Sequence, residues 1–235
     1  MAKSGVKVLG AWASPYSQMV KIALNLKSID YEFIQEDVSN KSPLLLESNP
    51  VHKKIPVFFH DGKPVCESLV IVQYIDDAWT SNGPSFLPSD PYERATALFW
   101  AAYVGDKWSP CMRAVFLGVA NGEEGEKTVI PLEEAHQVLA ELENAFIKCS
   151  KGQKFFGGDK IGYVDIVFGS CLGWLKMIEK WGNFSLIDES NNPNLFKWAH
   201  EFCAVDAVKD ALPETDKLLE FAKAYGARLK INANK

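Results

Sequence analysis

Ser14-Pro15 is the first place where this chain could do chemistry. A serine before a proline ordinarily marks a helix start, with the hydroxyl capping a backbone N–H and the proline filling the first turn. The segment Ser14-Pro15-Tyr16-Ser17 holds no sulfur, so it cannot form a mixed disulfide. Its hydroxyl can, however, donate a hydrogen bond to a thiolate carried in by a ligand. A hydrogen bond to a charged group is worth roughly 1.5–3 kcal/mol, and a helix N-terminus adds roughly 0.3–1 kcal/mol in favour of an anion. Together they lower a thiol by about 1.5–3 pKa units, at about 1.36 kcal/mol per unit. That ionises most of a thiol that starts near ~8.5.

Two further segments have chemical potential. Glu67-Ser68 ordinarily reads as an acidic first turn of a helix. It also offers a carboxylate for an ammonium, and a hydroxyl plus backbone N–H for a carboxylate, which suits an amino-acid head group. His52-Lys53-Lys54-Ile55-Pro56-Val57 reads ordinarily as a solvated basic turn before a buried strand. Proline is tolerated at a strand start, and either isomer of the Ile55-Pro56 bond is open.

The elements that must position these residues change in texture near residue 83. Val6 and Val8 share one side of a strand leading into Ala11-Trp12, and Ser14-Pro15 opens a helix carrying Met19, Ile22, Ala23 and Leu26 at helical spacing. Tyr31 and Phe33 alternate as in a second strand. Pro56-Val57-Phe58-Phe59, then Asp61-Gly62, then Pro64-Val65-Cys66 reads as a hairpin. Glu67-Ser68 opens a helix with Ile71, Tyr74, Ile75 and Ala78 on one face. A strand–helix–strand unit implies a parallel pair joined by a right-handed crossover. With the hairpin added, this is a thioredoxin-like domain with a mixed four-stranded sheet, in which the first strand–helix junction carries the reactive group.

Residues 83–90 are rich in Gly, Pro and Ser and read as a linker. Beyond it the pattern is helical: Ala95, Leu98, Phe99 and Ala102; Ala135, Val138, Leu139 and Leu142; Val164, Val167, Phe168 and Cys171; Leu195, Trp198, Ala199 and Phe202; Leu218, Phe221, Ala222 and Tyr225. Pro110 should kink the first of these helices or end its first half. Gly162 and Asp165 fit an N-cap and third helical position, with Ile161 and Ile166 as a staple. The expected organisation is therefore an α/β domain over 1–82, a linker over 83–90 and an all-helical domain over 91–235.

Bulk composition narrows the partners. A net charge of −5 disfavours nucleic acid, whose binders carry a basic footprint. Five scattered cysteines without a C-x-x-C pair read as free thiols in a reducing compartment. The four histidines make no metal motif. Neither a signal peptide nor a membrane span is legible, so the expectation is a cytosolic protein without a membrane partner.

The segments WASPYSQMVKIAL, NKSPLLLESNPVHKKIPVFFHDGKPVCESLVIVQYID, PSDPYERA and FFGGDKIGYVDI together resemble the tau class of plant glutathione transferases, from about residue 6 to about residue 222. The resemblance implies an enzyme that adds the thiolate of glutathione to hydrophobic electrophiles, with glutathione as co-substrate and no permanently bound cofactor. It implies that Ser14 stabilises the thiolate, and that Lys41 and Lys54 sit near the glycine carboxylate. The backbone of Ile55, before a cis Pro56, would pair with the cysteinyl unit, and Glu67 and Ser68 would hold the γ-glutamyl end. Trp12 and Tyr16 are expected on the near wall of an electrophile pocket, with Trp108, Met112, Trp174 and Phe221 across it. Two departures stand out: Met19, where the family commonly has Arg, and the less charged stretch Ala102–Lys107. Hydroperoxide reduction by the same thiolate and non-catalytic carriage of hydrophobic ligands remain alternatives. The resemblance also implies a homodimer, in which Asp76 or Asp77 pairs with Arg94 across a two-fold axis.

Overall fold

The structure, a computed structural model, describes residues 5–122 and 126–233, so the expected outer domain limits at residues 1 and 235 lie outside the described residues. The first half holds β1 (Val6–Gly10), α1 (Pro15–Leu26), β2 (Glu32–Gln35), α2 (Pro43–Ser48), β3 (Val57–His60), β4 (Lys63–Cys66) and α3 (Ser68–Ala78). The sheet order is β2-β1-β3-β4. β1 and β2 run parallel, whereas β3 is antiparallel to both β1 and β4. α1 and α3 pack together and bury Val20, Ile22, Ile71, Val72 and Ile75 against Val8 and Phe58 of the sheet. A smaller cluster joins Leu45 of α2 to Leu9 and Val57.

The second half is helical: α4 (Pro91–Tyr103), a π-helical turn (Val104–Trp108), α5 (Ser109–Asn121), α6 (Glu126–Ser150), α7 (Tyr163–Gly169), α8 (Leu172–Gly182), α9 (Pro193–Ala204), α10 (Asp206–Lys209) and α11 (Thr215–Ala233). Pro110 explains the π turn. It lacks an N–H and its ring crowds the carbonyl four residues back. The chain widens just ahead of it, and the Ser109 N–H reaches the Val104 carbonyl. The expected continuous face through Val164 and Cys171 is broken, because α7 ends at Gly169 and α8 starts at Leu172.

α7 starts as the sequence predicts. Gly162 is the N-cap and Asp165, fully buried, accepts from the N–H groups of Phe156 (2.8 Å), Gly157 (2.9 Å) and Gly162 (2.8 Å) and from the Trp198 indole (2.7 Å). Burial pushes its carboxyl up to about 6, with the four donors holding against that rise.

The linker between α3 and α4 is anchored to the first domain: Phe86 and Leu87 are buried and their N–H groups donate to Asp76 at 3.0 Å. Asp76 also receives Lys27 Nζ at 2.9 Å, with only 5% and 1% of the two side chains exposed, and the ammonium lies 4.8 Å from the Phe86 ring centre. Asp76 thus serves the interior and is not a surface partner for Arg94. On α4, Ala95, Phe99 and Ala102 are exposed rather than buried. The core side is set by Ala101, Val104 and Trp108. Apolar spacing defines a face without saying what covers it.

The two halves share one core and are joined by a polar seam. The Tyr163 N–H donates to the Phe86 carbonyl (2.8 Å), and its hydroxyl donates to the Leu69 carbonyl (2.8 Å) while accepting from Gln73 Nε2 (3.1 Å).

Candidate active site

Strand register brings the candidate residues to one end of the sheet. Gly10 at the end of β1 pairs with Gln35 at the end of parallel β2. Leu9 pairs with Val57 at the start of β3, and Val57 with Cys66 at the end of β4. Ser14 follows β1, Lys41 follows β2, Lys54 and Ile55 precede β3, and Glu67 and Ser68 follow β4. All therefore emerge at the same sheet end, the crevice side in folds of this kind.

Each is held by local structure. Ser14 is the N-cap of α1, half-buried, with its Oγ accepting from the Ser17 N–H at a long 3.3 Å. As an acceptor there, the hydroxyl keeps its own proton free to donate. Lys41 is exposed on a loop whose next residue, Ser42, donates its N–H and hydroxyl to the buried Glu36 carboxylate, both at 2.7 Å. Buried Asn49 ties the basic turn: its Nδ2 donates to the Lys54 carbonyl (2.9 Å) and its Oδ1 accepts from the His52 N–H (3.1 Å). The Ile55-Pro56 bond is cis, which settles the isomer left open by the sequence. Glu67 has φ +69°, a left-handed backbone that costs a non-glycine residue of order 1–3 kcal/mol. Its exposed carboxylate lies 3.9 Å from His52 Nε2. Ser68, buried, is the first residue of α3, where backbone N–H groups lack helical partners.

Beside this sheet end lies a cavity of about 480 Å³ between the two domains. Pro15, Tyr16, Ser68 and Leu69 line it from the first domain, and Trp108, Met112, Phe116 and Trp174 from the second. Its walls are mostly apolar, and small ligands bind in clefts of this size and character.

The chain was compared with known proteins against this geometry. Residues 4–77 match the model described as Glutathione S-transferase, N-terminal domain, and residues 96–206 the one described as Glutathione S-transferase, C-terminal domain. Glutathione S-transferase U17 of Arabidopsis thaliana is 58% identical over 95% of this chain and 96% of its own length. The crystal structure of the tau-class glutathione S-transferase MiGSTU from mango, Mangifera indica, superposes with TM-score 0.89 at 53% identity, covering 95% of this chain and 99% of that one. The chain belongs to the tau class of the glutathione S-transferase family. The structure of rice GST1 (OsGSTU1), solved in complex with glutathione, is similar too: TM-score 0.84 at 36% identity, over 95% of this chain and 99% of that one.

Within this transferase, the cavity includes Tyr16, Trp108, Met112 and Trp174 of the expected pocket. Trp12 and Phe221 stand outside its lining. They pack edge-to-face on each other with ring centres 5.4 Å apart, and Lys217 Nζ lies 4.8 Å from the Trp12 ring centre. Sequence reasoning missed Leu69, Arg113, Phe116, Cys171 and Tyr225 on the wall. Phe116 and Tyr225 could have been found, since each lies one turn beyond a named aromatic-face residue, Met112 and Phe221. Met19 is buried and lines the cavity. Met19 therefore contributes an apolar surface to the wall. Cys171, half-buried on the same wall, has its thiol pushed up to about 11 by burial.

Proposed function

We propose that the protein conjugates glutathione to small hydrophobic electrophiles, with the Ser14 hydroxyl donating a hydrogen bond to the glutathione sulfur and holding it as thiolate. The observation that carries this reading is the convergence of Ser14, Lys41, Lys54, Ile55, Glu67 and Ser68 at one sheet end against an apolar cavity. Glutathione is an anionic tripeptide with an amino-acid head. Lysines at one end and a carboxylate with helix-start donors at the other match its charges. Holding the tripeptide there puts its sulfur at the cavity mouth, where an electrophile on the apolar wall is within reach. Steady-state conjugation of glutathione to an aryl halide tests the reading, with a hydroperoxide run beside it. A rate no greater than the uncatalysed one for both would overturn it.

Lys41, Lys54, Glu67 and Ser68 act in binding. Alanine at each should raise the KM for glutathione more than it lowers kcat, by about tenfold to a hundredfold where a charge-assisted bond is lost. Glu67→Ala should rank among the worst, because it strands the ligand's ammonium. Initial rates against glutathione at saturating electrophile measure this, and an unchanged KM in all four variants would place the site elsewhere.

The exposed face of α4 is covered by a second copy of the chain. Tyr92 (81% exposed) and Phe99 (59%) of α4, with Val70 of α3 (50%), present large apolar groups to solvent, and such groups mark association surfaces when they form a patch. With Asp76 internal, Asp77, which is exposed, is the acidic residue left to face Arg94. Phe99→Glu should raise the dimer dissociation constant by more than about a hundredfold, since an unpaired carboxylate costs a few kcal/mol to bury. Sedimentation should find the parent dimeric and the variant monomeric at micromolar concentration; a monomeric parent sinks the proposal. The free cysteines among the described residues fit a reducing compartment such as the cytosol.

A further inference from the structure

We propose that Trp174 is a positioning residue for the sulfur site, acting on Ser14 through the backbone; this rests on the Ser14 reading above. Its indole N–H crosses from α8 to donate to the Ala13 carbonyl at 2.7 Å. That carbonyl belongs to the peptide joining Ala13 to Ser14, whose N–H donates to the Ala11 carbonyl at 3.0 Å. A peptide unit is planar, so pinning its oxygen and its N–H together fixes the plane. With that plane fixed on one side, and the Ser14 carbonyl held on the other by the Gln18 N–H at 3.0 Å, the Ser14 Cα–Cβ bond has one direction relative to the start of α1. The cap bond at 3.3 Å is too long to set that direction by itself.

The same indole is part of the electrophile wall. It lines the cavity with Pro15 and Tyr16 and meets Phe116 edge-on, ring centres 5.4 Å apart. One side chain therefore borders the electrophile with its ring and orients the thiolate's donor with its nitrogen. A wall residue need only fill space, and phenylalanine would serve that purpose. The polar contact to the first domain is the part that a wall does not need.

The test separates the nitrogen from the ring. In the binary complex with glutathione, thiolate absorbance is titrated against pH without electrophile present. Trp174→Phe should raise the midpoint by about half a unit to one unit, the loss of one hydrogen bond's worth of orientation. From a parent midpoint near neutrality it should slow conjugation at neutral pH by about twofold to fivefold, with the deficit closing as pH rises past the new midpoint and little change in the electrophile's KM. An unshifted midpoint with a raised electrophile KM would mean that Trp174 is only wall, and would overturn the assignment. Benzothienylalanine at position 174 keeps the indole's shape and lacks its N–H. It should reproduce the shift, it decides the matter if Trp174→Phe does not fold, and an unshifted midpoint there also overturns the assignment. If the parent itself shows no thiolate band near neutral pH, the Ser14 reading fails first and the positioning role falls with it.

Discussion

Ser14→Ala should lower kcat/KM for conjugation at neutral pH by about thirtyfold, or roughly 2 kcal/mol, while glutathione affinity changes far less. The hydroxyl makes its bond to the charged sulfur, so its removal chiefly returns the bound thiol toward its ordinary range near ~8.5. The sign follows directly. With a depressed thiol, the parent is active on both sides of neutrality; in the variant the rate should climb with pH through the higher midpoint and approach the parent in alkali. Ser14 also caps α1, and losing a cap costs about 1 kcal/mol of stability, so a melting curve should accompany the kinetics. A folded variant with parental turnover at neutral pH would remove Ser14 from the mechanism.

The largest stability loss should come from Asp76→Ala. It strands the Lys27 ammonium in the interior, and leaves the N–H groups of Phe86 and Leu87 without their acceptor. Breaking a buried pair from one side costs about 3–5 kcal/mol, and a chain of this size loses about 2–4 °C of melting temperature per kcal/mol. A fall of about 10 °C is expected. The double change Lys27→Met with Asp76→Ala should recover a good part of it, because the uncompensated charge is then gone. A single variant that melts within a degree or two of the parent would show that the pair contributes little.

The same aspartate shows where sequence reasoning stops. Helical spacing placed Asp76 correctly on α3, but an acidic residue late on a surface helix reads as solvated, and nothing in the local pattern announces a lysine at the end of another helix. Lys27 was equally silent. What was legible was local: the cap at Ser14, the hairpin at Asp61-Gly62, the Gly162–Asp165 helix start. The strand pattern led to the mixed sheet, and the sheet's register then explains why four separate segments emerge at one sheet end. The pocket was harder. Trp12 and Phe221 have the right chemistry for a wall, yet they pack against each other, a pairing between residues over two hundred positions apart that no periodicity encodes. On α4 the spacing of Ala95, Phe99 and Ala102 marked a real apolar face and could not say that it points outward.

Cys171 gives the cavity a consequence of its own. Under the proposed function the cavity hosts thiol-reactive molecules and also has a thiol in its wall, which would be open to alkylation in place of the co-substrate. Only the thiolate attacks. With burial holding the Cys171 thiol up to about 11, it stays overwhelmingly protonated near neutral pH. Under the proposed mechanism the fold then sorts two sulfurs within one cavity, ionising the one that departs with each product and keeping protonated the one whose alkylation would end the enzyme's working life.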